Sequence, residues 1–377
     1  MPPWLRLSPR AYHRVTLVAL VLLSAIIVSG GAVRVTGSGL GCPDWPTCAD
    51  GKLAPQLFEE SAGHATIEYV NRLITGLVSA VVIVAVLGSL VRRPGRRDLT
   101  WLSVGLVGGV LGQIVLGGIT VLTDLHPVAV QSHFLLSLVI VACAVVLHWR
   151  AAREPVAPEA PRPERPAGAG DPGPERPDRA GDPGPERPAG ARDAGAGAGP
   201  GPPPVPGLVR ALSRLTLALL VPAIVAGTVL TGTGPHGGDP EARRFALDPR
   251  SVAQAHGVLV ELFTAALLAT LVMAWRRGVS LPALGRGAVA VGAAAGQSVL
   301  GYTQYFTGVP AVLVGVHILG ATGVWIAMLR WHLGLGEGDP AAAPRAHAGP
   351  APAPVEHVPP RPTAGASPAP SRRTAPL

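Results

Sequence analysis

The chain reads as an all-α membrane protein whose eight transmembrane helices form two parallel-repeat four-helix bundles, and three observations point there. Hydrophobic residues make up 48% of the 377 and charged residues 14%, and the apolar ones gather into long blocks instead of amphipathic periods. A spanning helix needs roughly 20 apolar residues to cross about 30 Å of hydrocarbon. One stretch occurs twice, and arginines collect at alternate block ends.

The repeated stretch is GQIVLGGITVLTDLHPVAVQSH at 112–133 and GQSVLGYTQYFTGVPAVLVGVH at 296–317. Without a gap, Gly112, Gln113, Val115, Leu116, Gly117, Thr123, Val128, Val130 and His133 coincide with Gly296, Gln297, Val299, Leu300, Gly301, Thr307, Val312, Val314 and His317. A composition rich in Gly, Ala and Val raises chance matches, but not a shared GQxVLG with a histidine at the same offset. A duplicated membrane unit with a histidine in each copy follows.

In chain order the apolar blocks are 15–33, 73–91, 101–122, 128–149, 211–231, 252–275, 287–305 and 310–331. Arg6, Arg10 and Arg14 precede the first, Arg92, Arg93, Arg96 and Arg97 follow the second, Arg276, Arg277 and Arg286 separate the sixth and seventh, and Arg330 ends the eighth. These ends are cytoplasmic by the positive-inside rule, and an even number of spans puts both termini there. The opposite loops carry Asp44, Asp50, Glu59 and Glu60, or Asp124, and face outward. Helix-end arginines therefore account for the net charge of +8, and no nucleic-acid partner is needed. The first block is of spanning length and has a counterpart in the second half, so it reads as a span and not as a signal peptide.

The first span opens through GGAVRVTGSGLGCPDWPTC, 30–48, into an outer loop of about 40 residues; its counterpart after the fifth span is VLTGTGPHGG, 229–238. The second span is entered through HATIEYVNRLITG, 64–76, and the sixth through SVAQAHGVLVELF, 251–263, which sets Asn71 opposite His256. Residues 1–150 thus make an N-terminal bundle and 208–336 a C-terminal one. Between them, 151–207 is rich in Pro and Gly and repeats GDPGPERP, and the tail 337–377 is alike. Neither segment can bury a core, so both are expected to be disordered, the first as a cytoplasmic linker.

The polar residues just inside the outer ends of the even-numbered helices are Asn71, His133, His256 and His317, the histidines at roughly 6 to 10 Å depth. Ionisable side chains within a span usually face the bundle interior with a partner or cofactor. Paired imidazoles from facing helices suit axial ligation of a haem iron. A single such histidine serves equally well as a hydrogen bond between helices, an explanation that fits His256 and His317 together less well. His64 and His126 lie outside the same bundle mouth; the remaining histidines sit at ends, loops or tails. Glu68 shares a helix face with Asn71 and is a candidate proton acceptor, the alternative being an ion pair with Arg34 or Arg72. No functional role is evident for Glu261, on a different face from His256, and a structural hydrogen bond is its default reading. Cys42 and Cys48, in CPDWPTC, lie in an outer loop where oxidation is permitted, and the ligand spacing of a zinc site is missing, so a disulfide is expected. Cys143 reads as a small apolar residue of the fourth span.

Together, GGAVRVTGSGLGCPDWPTC, the string from Glu68 to Arg72 and the histidines at 133, 256 and 317 resemble the heme A synthase family over all eight spans. The resemblance implies an oxidoreductase of the plasma membrane that serves terminal oxidase assembly. His256 and His317 would hold a haem b that relays electrons. The N-terminal pocket of His133, Asn71 and Arg72 would take haem O as substrate and oxidise its C8 methyl group stepwise to the formyl group of haem A. Glu68 would be the required carboxylate, with oxygen supplied by water. Lipid, an electron acceptor the sequence does not identify and haem O synthase are the implied partners. Asn71 departs from the family's usual second histidine; a carboxamide is a poor iron ligand, which leaves His133 alone on the substrate. The alternative is a membrane haem b electron carrier without chemistry on the macrocycle, against which Glu68 and the asymmetry between Asn71 and His256 argue. A transporter, suggested by the repeat, is disfavoured by the parallel halves and the lack of evident broken helices.

Overall fold

The computed structural model describes residues 6–55, 62–153 and 205–336. The expected linker and tail, and Glu59 and Glu60, fall outside the described residues. Eight helices and no strand occur among those described: α1 Pro9–Val35, α2 Ala62–Val91, α3 Arg97–Leu122, α4 Pro127–Ala151, α5 Gly207–Thr233, α6 Pro249–Arg276, α7 Leu281–Phe306 and α8 Ala311–Gly336.

Local chemistry sets where these helices start. Pro9, Pro127 and Pro249 occupy first helical turns, where a missing N–H costs nothing. Ser8 caps α1, its hydroxyl accepting from the Ala11 N–H at 3.2 Å. Asp248 caps α6, accepting from the Ser251 N–H at 3.0 Å and Oγ at 2.7 Å, and these bonds hold its carboxyl below the usual carboxylate range.

Seven of the eight helices are long and apolar enough to cross a membrane. The seventh expected span, α7, is long enough but less apolar, because glycine and alanine fill its first half and Gln297, Thr303 and Gln304 interrupt its second. A second difference is the start of α2, well ahead of the apolar block at 73. HATIEYVNR continues the helix outward, stiffened by Glu68 and Arg72 at i,i+4 spacing, so the outer loop is 36–61 and shorter than expected.

Packing partners follow the repeat. α1 packs on α2 and α4, and α3 on α2 and α4; α5 packs on α6 and α8, and α7 on α6 and α8. Tyr12, Leu99, Leu106 and Leu147 centre one core, and Leu267, Met328, Trp331 and Leu335 the other. Contacts of α8 with α1 and α4, and of α4 with α5, join these sets of helices, and all eight lie in one compact unit.

Polar contacts reinforce the join. The Arg34 guanidinium donates to the carbonyls of His236 at 2.7 Å and Thr231 at 3.1 Å, and Gly39 N–H to Gly238 O at 2.7 Å. Deeper in, Gln131 Nε2 donates to Thr228 Oγ1 at 2.9 Å and Trp325 Nε1 to the Leu138 carbonyl at 3.0 Å.

Candidate functional site

The duplicated motif builds the same contact twice. Gln113 of α3 donates through Nε2 to the His133 carbonyl of α4 at 2.9 Å, and Gln297 of α7 to the His317 carbonyl of α8 at 2.7 Å, each bond spanning 20 residues. One turn after each glutamine the motif places a glycine against the ring. A Cβ at Gly117 would stand 3.4 Å from His133 Cε1, and one at Gly301 3.3 Å from His317 Cε1. The motif thus fixes the backbone of the histidine-bearing helix and leaves room for the imidazole. Nδ1 of His133 and of His317 is buried with no hydrogen-bond partner.

The second member of each pair differs. His256 Nδ1 donates to the Ala223 carbonyl at 2.9 Å, which leaves Nε2 unprotonated for a metal. A Cβ at Gly227 of α5 would meet His256 Cε1 at 3.0 Å, a tight approach from which the ring would have to shift by a few tenths of an ångström. These residues would suit a haem, whose iron the two imidazoles would hold: the His256 tautomer is set by a carbonyl, and both rings lie close to a glycine. In the N-terminal half, Asn71 Oδ1 accepts from Ser29 Oγ of α1 at 2.7 Å. Laying VTGSG, 35–39, over LTGTG, 230–234, puts Ala32 where Gly227 stands. The register thus pairs glycine with His256 in one half and alanine with the smaller Asn71 in the other.

Glu68 and Arg72 anchor the outer loop to α2. Glu68 is 5% exposed; its Oε2 accepts from the Cys42 N–H at 2.8 Å and its Oε1 from Arg72 at 2.5 and 3.1 Å. Arg72 also donates to the carbonyls of Cys42, Asp44 and Thr47 and lies over the Trp45 ring, 5.1 Å from its centroid. Cys42 and Cys48 form a disulfide, closing this loop into a small ring. The indole of Trp45 reaches α3, where a Cβ on Gly118 would clash with it at 2.6 Å. Of the two ion-pair partners considered for Glu68, Arg72 is the one it meets; Arg34 is taken by the loop after α5.

Above the join lies a cavity of about 340 Å³ lined by the exit from α1, by His64 and by Asp239 and Pro240. His64 bonds Ser38 Oγ through Nδ1 at 2.9 Å, and His126 lies at the N-cap of α4. Cys143 is half-buried, with its thiol against the Leu102 carbonyl at 3.4 Å. At the inner end, where histidines read as chain-end residues, His13 of α1 stacks on His148 of α4 with ring centroids 4.2 Å apart. In the other half Ser213 bonds His332 Nδ1 at 2.9 Å. The signal was the repeat itself, which aligns His148 with His332 in the register that aligns His133 with His317.

Residues 13–170 match the family described as cytochrome oxidase assembly protein, COX15-CtaA. Three curated relatives named heme A synthase align with part of the chain. That of Exiguobacterium sibiricum is 31% identical over 123 residues, 32% of this chain and 40% of the relative. That of Listeria welshimeri is 29% identical over 140 residues, 37% and 45% of the two chains. That of Lysinibacillus sphaericus is 30% identical over 130 residues, 34% and 41%. The aligned region spans less than half the length of each of these relatives.

Proposed function

We propose that this chain, whose residues 13–170 match the cytochrome oxidase assembly protein family, is a member of that family and acts as a heme A synthase of the plasma membrane. The observation that carries the reading is the twice-built Gln-to-histidine contact with a second imidazole in one half only. A symmetric carrier has no use for that difference. In our reading each set of four helices is one bundle, all eight helices span, and both termini are cytoplasmic. The linker at 151–207 then separates bundles at 1–150 and 208–336.

His256 and His317 hold the resident haem b, which supplies one-electron relay when bound. His133 holds the substrate haem O from one side. Asn71, turned toward Ser29, leaves the other side without an imidazole. Conversion of the C8 methyl group to a formyl group with oxygen from water releases electrons and protons in equal number. Those electrons need an acceptor, to which a haem held by His256 and His317 would give a route, and haem O synthase is the natural source of substrate.

Glu68 and Arg72 position the disulfide loop over the outer mouth of this pocket. Glu68 is the carboxylate nearest that mouth on the face of Asn71, which makes it the candidate to accept a released proton. Arg72 keeps it in place.

The test is chromatography and mass spectrometry of haems extracted from cells that make haem O, with and without the protein. Haem A, or its hydroxylated precursor, appearing only with the intact chain supports the reading. Unchanged haem O beside a gained haem b spectrum, with candidate redox partners present, would instead identify a carrier.

A further inference from the structure

Glu261 is a carboxylate in the wrong place for a bundle interior. On α6 the buried residues Phe263, Leu267, Thr270 and Ala274 mark the face turned to the core, and His256 lies along that line. At 100° per residue Glu261 lies on the opposite side, in the exposed stripe with Val258 and Leu262. It sits roughly 14 Å along the apolar block that begins at 252, close to mid-membrane. Its carboxylate meets Tyr302 of α7, whose hydroxyl donates to Oε1 at 3.2 Å. Val299, Tyr302 and Phe306 continue the exposed surface on α7 at 68, 56 and 78% exposure.

The repeat shows that the fold does not require this patch. In the register that sets Asn71 opposite His256, Glu261 corresponds to Gly76; Tyr302 corresponds to Gly118. At Gly118 the N-terminal half covers α3 with Trp45 of its own outer loop. No comparable described segment covers α7, and an acid and an aromatic ring stand there instead. Intramembrane acids pair with a cation or donor, and interhelical polar contacts are a principal means of helix association in lipid.

We propose that the α6–α7 face around Glu261 and Tyr302 docks a transmembrane helix of a different protein that carries a lysine or arginine at mid-membrane. Charge complementarity selects this occupant over a second copy of the chain. A two-fold contact would set Glu261 against Glu261, and Arg34 and Arg72, at the outer helix ends, are already engaged, the first by carbonyls and the second by Glu68. The remaining described arginines on the helices lie toward the inner ends or the outer loops.

The probe is a synthetic polyleucine transmembrane peptide with one central lysine, and the same peptide with leucine there. Each carries an acceptor dye and is mixed with the donor-labelled full chain in phosphatidylcholine vesicles. The lysine peptide is expected to associate roughly tenfold more tightly than the leucine peptide. Glu261→Gln removes that preference, and Tyr302→Phe weakens it while leaving the circular dichroism unchanged. Equal association of the two peptides, or a preference that survives Glu261→Gln, overturns the proposal. So does Glu261-dependent energy transfer between two copies of the chain, which would identify the occupant as a second copy.

Discussion

At the scale of single residues, glycine and histidine are matched to each other. Gly227 stands against His256, and its equivalent Ala32 lies in the half where asparagine has replaced histidine. Gly227→Ala crowds the His256 ring and strains its bond to Ala223, an overpacking expected to cost about 1 to 3 kcal/mol. The haem b content per protein, measured as the pyridine haemochrome, should fall, while Ala32→Gly should leave it unchanged. Glu68 poses a separate question, because one carboxylate serves a loop and a proposed proton acceptor. Glu68→Gln keeps an oxygen for the Cys42 N–H and removes the charge; Glu68→Ala removes both. If proton acceptance matters, both variants lose haem A formation while only Glu68→Ala loosens the loop. Retained turnover in Glu68→Gln would leave Glu68 as a loop anchor alone. The candidate residues were legible from the sequence because ionisable side chains inside a span are conspicuous. Their partners were not: Gln113 and Gln297 act through a carbonyl 20 residues away, and Gly301 and Gly227 act by lacking an atom where a ring lies close.

At the scale of elements, the outer loop and α2 behave as one piece. The disulfide ring, the Glu68 and Arg72 contacts and the tight turn from Cys48 to Lys52 hold one another, with Cys48 N–H on Lys52 O at 2.7 Å. Closing so small a ring contributes about 2 kcal/mol in the chain-entropy model. Lys52 is the chain's lone lysine, so a lysine-specific endoprotease reads this loop directly. Reduction, or Cys42→Ser with Cys48→Ser, should accelerate cleavage after Lys52 severalfold in the folded protein. Unchanged cleavage would mean that Arg72 holds the loop without the disulfide. In right-side-out vesicles the same protease should cut from the outside, and protection there would invert the proposed orientation. The helices were largely legible as apolar blocks, since length and hydropathy decide a span. The two departures, α7 and the outward extension of α2, arise where composition understates the helix. Gly and Ala contribute little hydropathy to α7, and the polar turn of α2 is kept helical by an ion pair that hydropathy counts against it.

At the scale of the whole molecule, the repeat explains two similar sets of four helices but not why they form one unit. The join is made by residues without counterparts in the repeat register. Arg34 corresponds to Val229 when VTGSG is laid over LTGTG, and Gln131 corresponds to Gly315. Trp325 corresponds to Val141. A tandem duplication yields like surfaces, so the contacts that bind one copy to the other have to arise afterwards, and they appear in sequence as breaks in the repeat. These bonds lie between helices and not in the chain connection, so covalent continuity should be dispensable. Co-expression of residues 1–180 and 181–377 as separate chains is expected to give a complex that co-purifies with full haem b content. Arg34→Leu in the first segment removes the carbonyl contacts to the end of α5 and to the loop after it, and should lower recovery of the second segment several-fold while each half still inserts. Failure of the unmodified halves to co-purify would show that the connection itself holds them. Recovery unaffected by Arg34→Leu would place the join deeper, at Gln131 and Trp325.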